Sequence, residues 1–126
     1  MPVLVVDDFS NMRSTLRQML LSAGYEDIDM AASGEDAIDK LGQRRYAIVL
    51  CDYNLGEGLD GQQVLDLARD RGLIDLSTLF IMVTAETTSD MVMGAVESIP
   101  DGYLSKPFTK DLLAVRLARG IRRKQP

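Results

Sequence analysis

The stretch VLVVDDFSNM, residues 3–12, decides how this chain is read. Val3–Val6 is an unbroken apolar run, β-branched except for Leu4. With no polar alternation it predicts a strand buried on both faces, as in a parallel sheet covered by helices. Asp7 and Asp8 follow at once. Two adjacent like charges at the end of a buried strand repel each other and resist leaving water. Their position asks for a partner that compensates them.

Working outward, SNMRSTLRQMLLSAG predicts a helix with Ser10 as N-cap, Met12, Leu16, Met19 and Leu20 facing inward, and Gly24 as the stop. A weaker strand covers Ile28–Ala31. A short helix follows, capped by Ser33, with Ala37, Ile38 and Leu41 inward and Gly42 ending it. YAIVLCD (46–52) is the clearest buried strand, Gln62–Asp70 a helix, and TLFIMVT (78–84) another continuous strand. Thr88–Ser98 predicts a helix stopped by Pro100, GYLS (102–105) a short strand, and TKDLLAVRLARGIRRK a last helix capped by Thr109. Five successive β/α units with buried strands predict an α/β fold: a parallel sheet with helices on both faces and right-handed crossovers. In such folds the functional crevice lies beyond the carboxyl ends of the strands. Asp7 and Asp8, Asp52, Thr84 and Lys106 stand at the ends of four different strands.

Composition narrows the chemistry. The chain has 126 residues, enough for one domain with a core of its own. It has no histidine, which excludes a Ser/His/Asp triad, a histidine base and a histidine metal site. Its single cysteine, Cys51, excludes an internal disulfide and an all-cysteine zinc site. Oxygen-only ligands point to a hard cation such as magnesium. A net charge of −5 argues against nucleic acid binding by the domain as a whole. No apolar run approaches the roughly 20 residues needed to span a bilayer. The first strand begins too early to leave room for a signal peptide, so the expected location is cytoplasmic, with no membrane partner.

Each polar residue alone has a bland reading. Asp7 and Asp8 could favour a helix N-terminus, Asp52 could be a turn residue, and Lys106 a solvated charge. Together they are chemically complementary. Three converging carboxylates need a cation to neutralise them. Magnesium accepts a few carboxylate oxygens and takes phosphate oxygens as further ligands. Lys106 and Thr84 could hold those phosphate oxygens. An unprotonated aspartate beside such a site can act as a nucleophile and form an aspartyl phosphate.

On VVDDFSNMR, CDYN, VTAE and GYLSKPFT the chain resembles the receiver domain of two-component response regulators, and most of all the single-domain chemotaxis regulators. The resemblance covers roughly residues 3–119. It implies a flavodoxin-like, doubly wound five-stranded sheet in the order 2-1-3-4-5. It also implies roles. Asp52 matches the phosphoacceptor. Asp8, Asp52 and the backbone carbonyl of Asn54 match ligands of magnesium (or manganese), with Asp7 completing the acidic pocket. Thr84 matches the switch hydroxyl, Tyr103 the switch aromatic, and Lys106 the ammonium that binds the phosphoryl group. Ala85 matches a small residue that leaves the acceptor accessible, and Pro107 a cis-proline. Asn54 and Glu86 match the positions that tune dephosphorylation. The implied partners are a sensor histidine kinase or a histidine-containing phosphotransfer protein. An output protein, or a C-terminal effector domain, would read the surface of the helix at 88–98, the fifth strand and the last helix. The domain is a signalling module of bacterial type rather than an enzyme, with residues 1–120 as receiver and 121–126 as a basic tail or the start of a linker.

Two departures stand out. NLGEGLDG after Asp52 lacks the proline common in this loop and is one residue longer than in the chemotaxis regulator, with two extra glycines that loosen its backbone. SIPDG replaces an Ala/Gly-rich turn before Tyr103. Other readings fit less well. Aspartate-nucleophile phosphohydrolases commonly carry Asp-x-Asp, whereas this chain has Asp52-Tyr53-Asn54. A flavin-binding module needs hydroxyls and amides where Asp7 and Asp8 stand. A receiver used only for docking would not need the full set of site residues. LGEGLDG lacks the Lys-Ser/Thr of a phosphate loop. Cys51 and the methionines read as packing residues.

Overall fold

In the computed structural model, residues 1–85 and 99–124 are described. Five strands, β1 (Val3–Val6), β2 (Ile28–Ala31), β3 (Ile48–Asp52), β4 (Leu79–Thr84) and β5 (Gly102–Ser105), form one parallel sheet in the order β2-β1-β3-β4-β5. The described helices are α1 (Ser10–Ser22), α2 (Gly34–Gln43), α3 (Gly61–Asp70) and α4 (Lys110–Lys124). The helix expected over Thr88–Ser98, with Met91 and Met93, and the residue Glu86 lie outside the described residues. Among the described residues no helix is long and apolar enough to cross a membrane.

The continuous apolar runs are divided between two cores by the two-residue period of a strand. Leu4, Val6, Val49, Cys51, Phe80 and Met82 point to one side and pack with Ala37 and Leu41 of α2 and Val64, Leu65 and Ala68 of α3. Val3, Val5, Ile48, Leu50, Ile81, Val83 and Leu104 point to the other and pack with Leu16 and Leu20 of α1 and Leu113 and Leu117 of α4. Fully burying each such side chain contributes about 1.5–3 kcal/mol, so both faces anchor the central strands. The register pairs Val6 with Ala31 and with Cys51, and Asp52 with Val83. It therefore brings the residues after each strand to one edge.

Several element ends differ from the sequence reading. Ser10 is inside α1; the N-cap is Phe9, and no side chain caps there. Gly24, with φ of +97°, does end α1 in the left-handed conformation. Ser33 caps α2 by accepting from the Asp36 amide, but Gly42 lies within that helix, which runs to Gln43. The third strand begins at Ile48 rather than Tyr46, whose hydroxyl donates to Asp29 (2.6 Å). The fourth begins after Thr78, whose amide closes a turn on the Asp75 carbonyl. Thr109 caps α4 through the Leu112 amide (3.1 Å). At the far end of that helix Lys124 pairs with Asp101 (2.8 Å).

Candidate functional site

The first acidic residue is positioned by the end of β1. The Asp7 amide extends the ladder by donating to the Ala31 carbonyl (3.1 Å). The chain then turns into α1, and the Asp7 carboxylate accepts from the Phe9 amide (2.9 Å), which holds the turn just before the helix. Arg13, one turn into the helix, donates to the Asp7 carbonyl (2.7 Å). Asp7 is buried, and Asp8 is half-buried with Oδ1 out of water and without a hydrogen-bond partner. A buried carboxylate oxygen left in this state costs free energy unless something else satisfies it.

Asp52 closes β3 and is buried. Its Oδ1 accepts from the Asn54 amide (3.3 Å) and its Oδ2 from Lys106 Nζ (3.0 Å). The same ammonium reaches Asp7 Oδ2 at 3.2 Å. Lys106 is aimed by β5: its amide donates to the Thr84 carbonyl (2.8 Å), and the Lys106–Pro107 bond is cis. Thr84, the last residue of β4, is buried beside it. A cleft of about 380 Å³ opens here, lined by Asp8, Phe9, Asp52, Asn54, Gly56, Thr84, Ala85 and Lys106.

The electrostatics follow from burial. Withdrawal from water raises the Asp52 carboxyl above its ordinary value, and the Lys106 hydrogen bond and charge only partly offset it. For Lys106 burial works to lower the pKa, but the bond and charge of Asp52, together with the charge of Asp7, hold the proton more strongly and the net shift is upward. Asp7, Asp8 and Asp52 each offer a carboxylate oxygen within 4.8 Å of the others. When all are ionised, three carboxylates face one ammonium. This donor set, all hard oxygen with one oxygen lacking any partner, fits a divalent cation of the magnesium type.

Of the residues singled out in the sequence, Asp7, Asp8, Asp52, Asn54, Thr84, Ala85 and Lys106 meet at this edge. Tyr103 is half-buried on β5 three residues before Lys106, packed against the core on the α2–α3 side, and its carbonyl accepts from Arg116 (2.8 Å). Cys51 is fully buried; its thiol donates to the Asp52 carbonyl (3.4 Å), and burial pushes the thiol well above its ordinary value. The sequence reading missed Phe9 at the mouth, Arg13 behind Asp7, and Glu35, whose carboxylate accepts from the Leu59 amide (3.1 Å). It also missed the capping box of Asp60 and Gln63 that starts α3, although the D-x-x-Q spacing could have revealed it.

Comparison with known proteins gives the class to which this fold and acidic cleft correspond. Residues 3–118 match the family model described as the response regulator receiver domain, and the chain belongs to that family. It is 32% identical over 120 residues to the chemotaxis protein CheY of Pseudomonas aeruginosa, covering 94% of each chain. It is 32% identical over 118 residues to CheY-3 of Vibrio cholerae, covering 93% of this chain and 88% of that one. Among solved structures, CheY4 of Vibrio cholerae superposes with a TM-score of 0.83 at 28% identity, covering 94% of this chain and 97% of the other. The N-terminal domain of a response regulator/sensory box/GGDEF protein from Carboxydothermus hydrogenoformans gives 0.82 at 26% identity, covering 98% and 95%. The chain is thus a two-component signalling domain with the CheY-like sheet.

Proposed function

We propose that this receiver domain takes a phosphoryl group on Asp52 from a phosphohistidine, or from acetyl phosphate, and passes the change to an output partner. The observation that carries the reading is the buried, unpartnered Asp8 oxygen in a cluster where the Lys106 ammonium already serves Asp7 and Asp52. Asp8, Asp52 and the Asn54 carbonyl, with Asp7 behind them, are the residues that would hold Mg2+ or Mn2+. When bound, the ion supplies positive charge against the phosphoryl oxygens.

The chain's own groups do the rest. An Asp52 carboxylate oxygen attacks phosphorus; the P–N bond of the donor breaks, its electron pair stays on the imidazole nitrogen, and that nitrogen takes up a proton. Lys106 already points at Asp52 Oδ2, so its ammonium is placed to follow the charge onto the phosphoryl oxygens. Ala85 keeps the approach open. Thr84 moves toward the new group and Tyr103 turns inward behind it, altering the surface that β5 and α4 present to the output partner. Asn54, short and polar at the cleft rim, orients the water that later removes the mark, and Glu86 is the second residue that tunes its removal. The donor is a sensor histidine kinase or a histidine-containing phosphotransfer protein. The reader is a separate protein or an effector domain joined through the basic residues after 120.

The test is intact mass after incubation with acetyl phosphate. Wild type with magnesium gains one phosphoryl group; with a chelator it gains none; Asp52→Asn gains none. Equal labelling of Asp52→Asn and wild type removes Asp52 as the acceptor.

A further inference from the structure

The long loop between β3 and α3 passes over the acidic cluster, and a residue far outside it holds it there. Gly56, with φ of +76°, lies so close that a Cβ added to it would sit 3.4 Å from Asp8 Oδ2. Asn54, next to it on the rim, is tied down by Gly56, whose amide donates to Asn54 Oδ1 (3.2 Å). Farther along, the Leu59 amide donates to Glu35 Oε2 (3.1 Å), and Glu35 stands in the first turn of α2, 24 residues earlier. Two glycines make room for this contact. Gly58, with φ of +85°, leaves the space that the Glu35 carboxylate occupies, and a Cβ there would overlap it. On the helix side, a Cβ at Gly34 would fall 2.6 Å from the Leu59 Cβ. The loop and the start of α2 are therefore shaped to each other on both sides.

We infer that Glu35 is a positioning residue: it clasps the 53–60 loop so that Asn54 and Gly56 stay over the Asp8–Asp52 edge, and by this it sets the affinity of the site for a divalent cation. The inference rests on the reading of the acidic cluster as a cation site. The plainer role for Glu35 is an acid in the first turn favouring the helix dipole. That role needs charge but no reach, and Asp36 also supplies it. The clasp needs reach and an acceptor oxygen but no charge. Three variants separate them. E35Q keeps the length and an oxygen for the Leu59 amide; E35D keeps the charge and is too short; E35A keeps neither.

Magnesium dissociation constants of the whole chain are measured by titration calorimetry, with amide hydrogen exchange read at residues 55–60. E35A and E35D are expected to bind magnesium about threefold to fivefold more weakly, the effect of losing one ordinary hydrogen bond, and to exchange the Leu59 amide faster. E35Q is expected to match wild type in both. Unchanged magnesium affinity in E35A, or a pattern in which E35D matches wild type and E35Q does not, overturns the clasp and leaves the receiver reading standing. A wild-type chain that binds no magnesium overturns the receiver reading and this inference with it.

Discussion

Three residues, 7–9, separate β1 from α1, whereas eight, 53–60, separate β3 from α3. The short one carries Asp7 and Asp8, and the long one leaves directly from Asp52, the third carboxylate of the cluster. The short one is anchored by the ladder bond from its Asp7 amide to Ala31 of β2, and within the turn and α1 by the Phe9 amide on Asp7 and Arg13 on the Asp7 carbonyl. The long one is closed at its base, where the Gly61 amide donates to the Tyr53 carbonyl (2.7 Å); its first residues are tied by the Asn54 amide on Asp52 and the Gly56 amide on Asn54, and its crown is held by buried Leu55 and by Glu35. A tight turn leaves its aspartates little freedom. A long loop with glycines at 56 and 58 has freedom that distant contacts must remove. The cluster thus has a fixed half and an adjustable half, and sequence change in the adjustable half can retune the site without disturbing β1.

The largest effect that sharpens this contrast is expected where the loop meets α3. A Cβ at Gly61 would lie 2.5 Å from the Asp52 carbonyl oxygen and 2.7 Å from the Met82 sulfur, both in the packed interior. Gly61→Ala is expected to lose about 2–3 kcal/mol of stability in urea melts, the usual scale of overpacking. A loss below measurement error would mean that the loop base is as adjustable as its crown.

Next come two side chains, one for each connection. Arg13→Ala removes a charged donor from the Asp7 carbonyl and is expected to cost about 1.5–2 kcal/mol. Asp60→Ala removes the α3 cap and is expected to cost about 1 kcal/mol. The readouts should differ more than the energies. Hydrogen exchange in Asp60→Ala should quicken in the loop and the first turn of α3 alone, while Arg13→Ala should loosen the start of α1. Faster exchange in both connections for either variant would dissolve the contrast. The smallest expected effect is none: Cys51 belongs to neither connection, is buried, and has its thiol pushed up, so an alkylating reagent should leave the folded protein unmodified by intact mass.

The fixed half was largely legible in the sequence. β1, β2 and β5 begin and end where expected: β1 lies between Pro2 and Asp7, β2 between Asp27 and the Ala32-Ser33 turn, and β5 between Asp101 and Lys106. The rule that sites gather beyond strand C-termini found Asp7, Asp8, Asp52 and Lys106 from spacing alone. Capping preference failed at Ser10 because it looks for a side-chain oxygen at the N-cap, whereas the helix starts one residue earlier, with Phe9 at the N-cap and no side-chain cap. Gly42 misled because glycine stops a helix through the left-handed conformation, and the chain instead leaves α2 at Arg44 in extended form. The Glu35 clasp was invisible because no local period links residues 24 apart. Tertiary packing alone brings α2 to the loop.

Lys106 lies 99 residues from Asp7 and 54 from Asp52 along the chain. Contacts so distant in sequence carry a large loop-closure cost and depend on the intervening fold being in place. Until β5 docks beside β4, the Asp7 and Asp52 carboxylates have no ammonium against them, and the favourable course is to keep their water. Completion of the cleft therefore requires β5 in place beside β4. Because Leu104 of β5 packs in the same core as Val3, Val5, Ile48 and Leu50, a lesion that loosens β5 strips the cleft of its charge balance and loosens that core together.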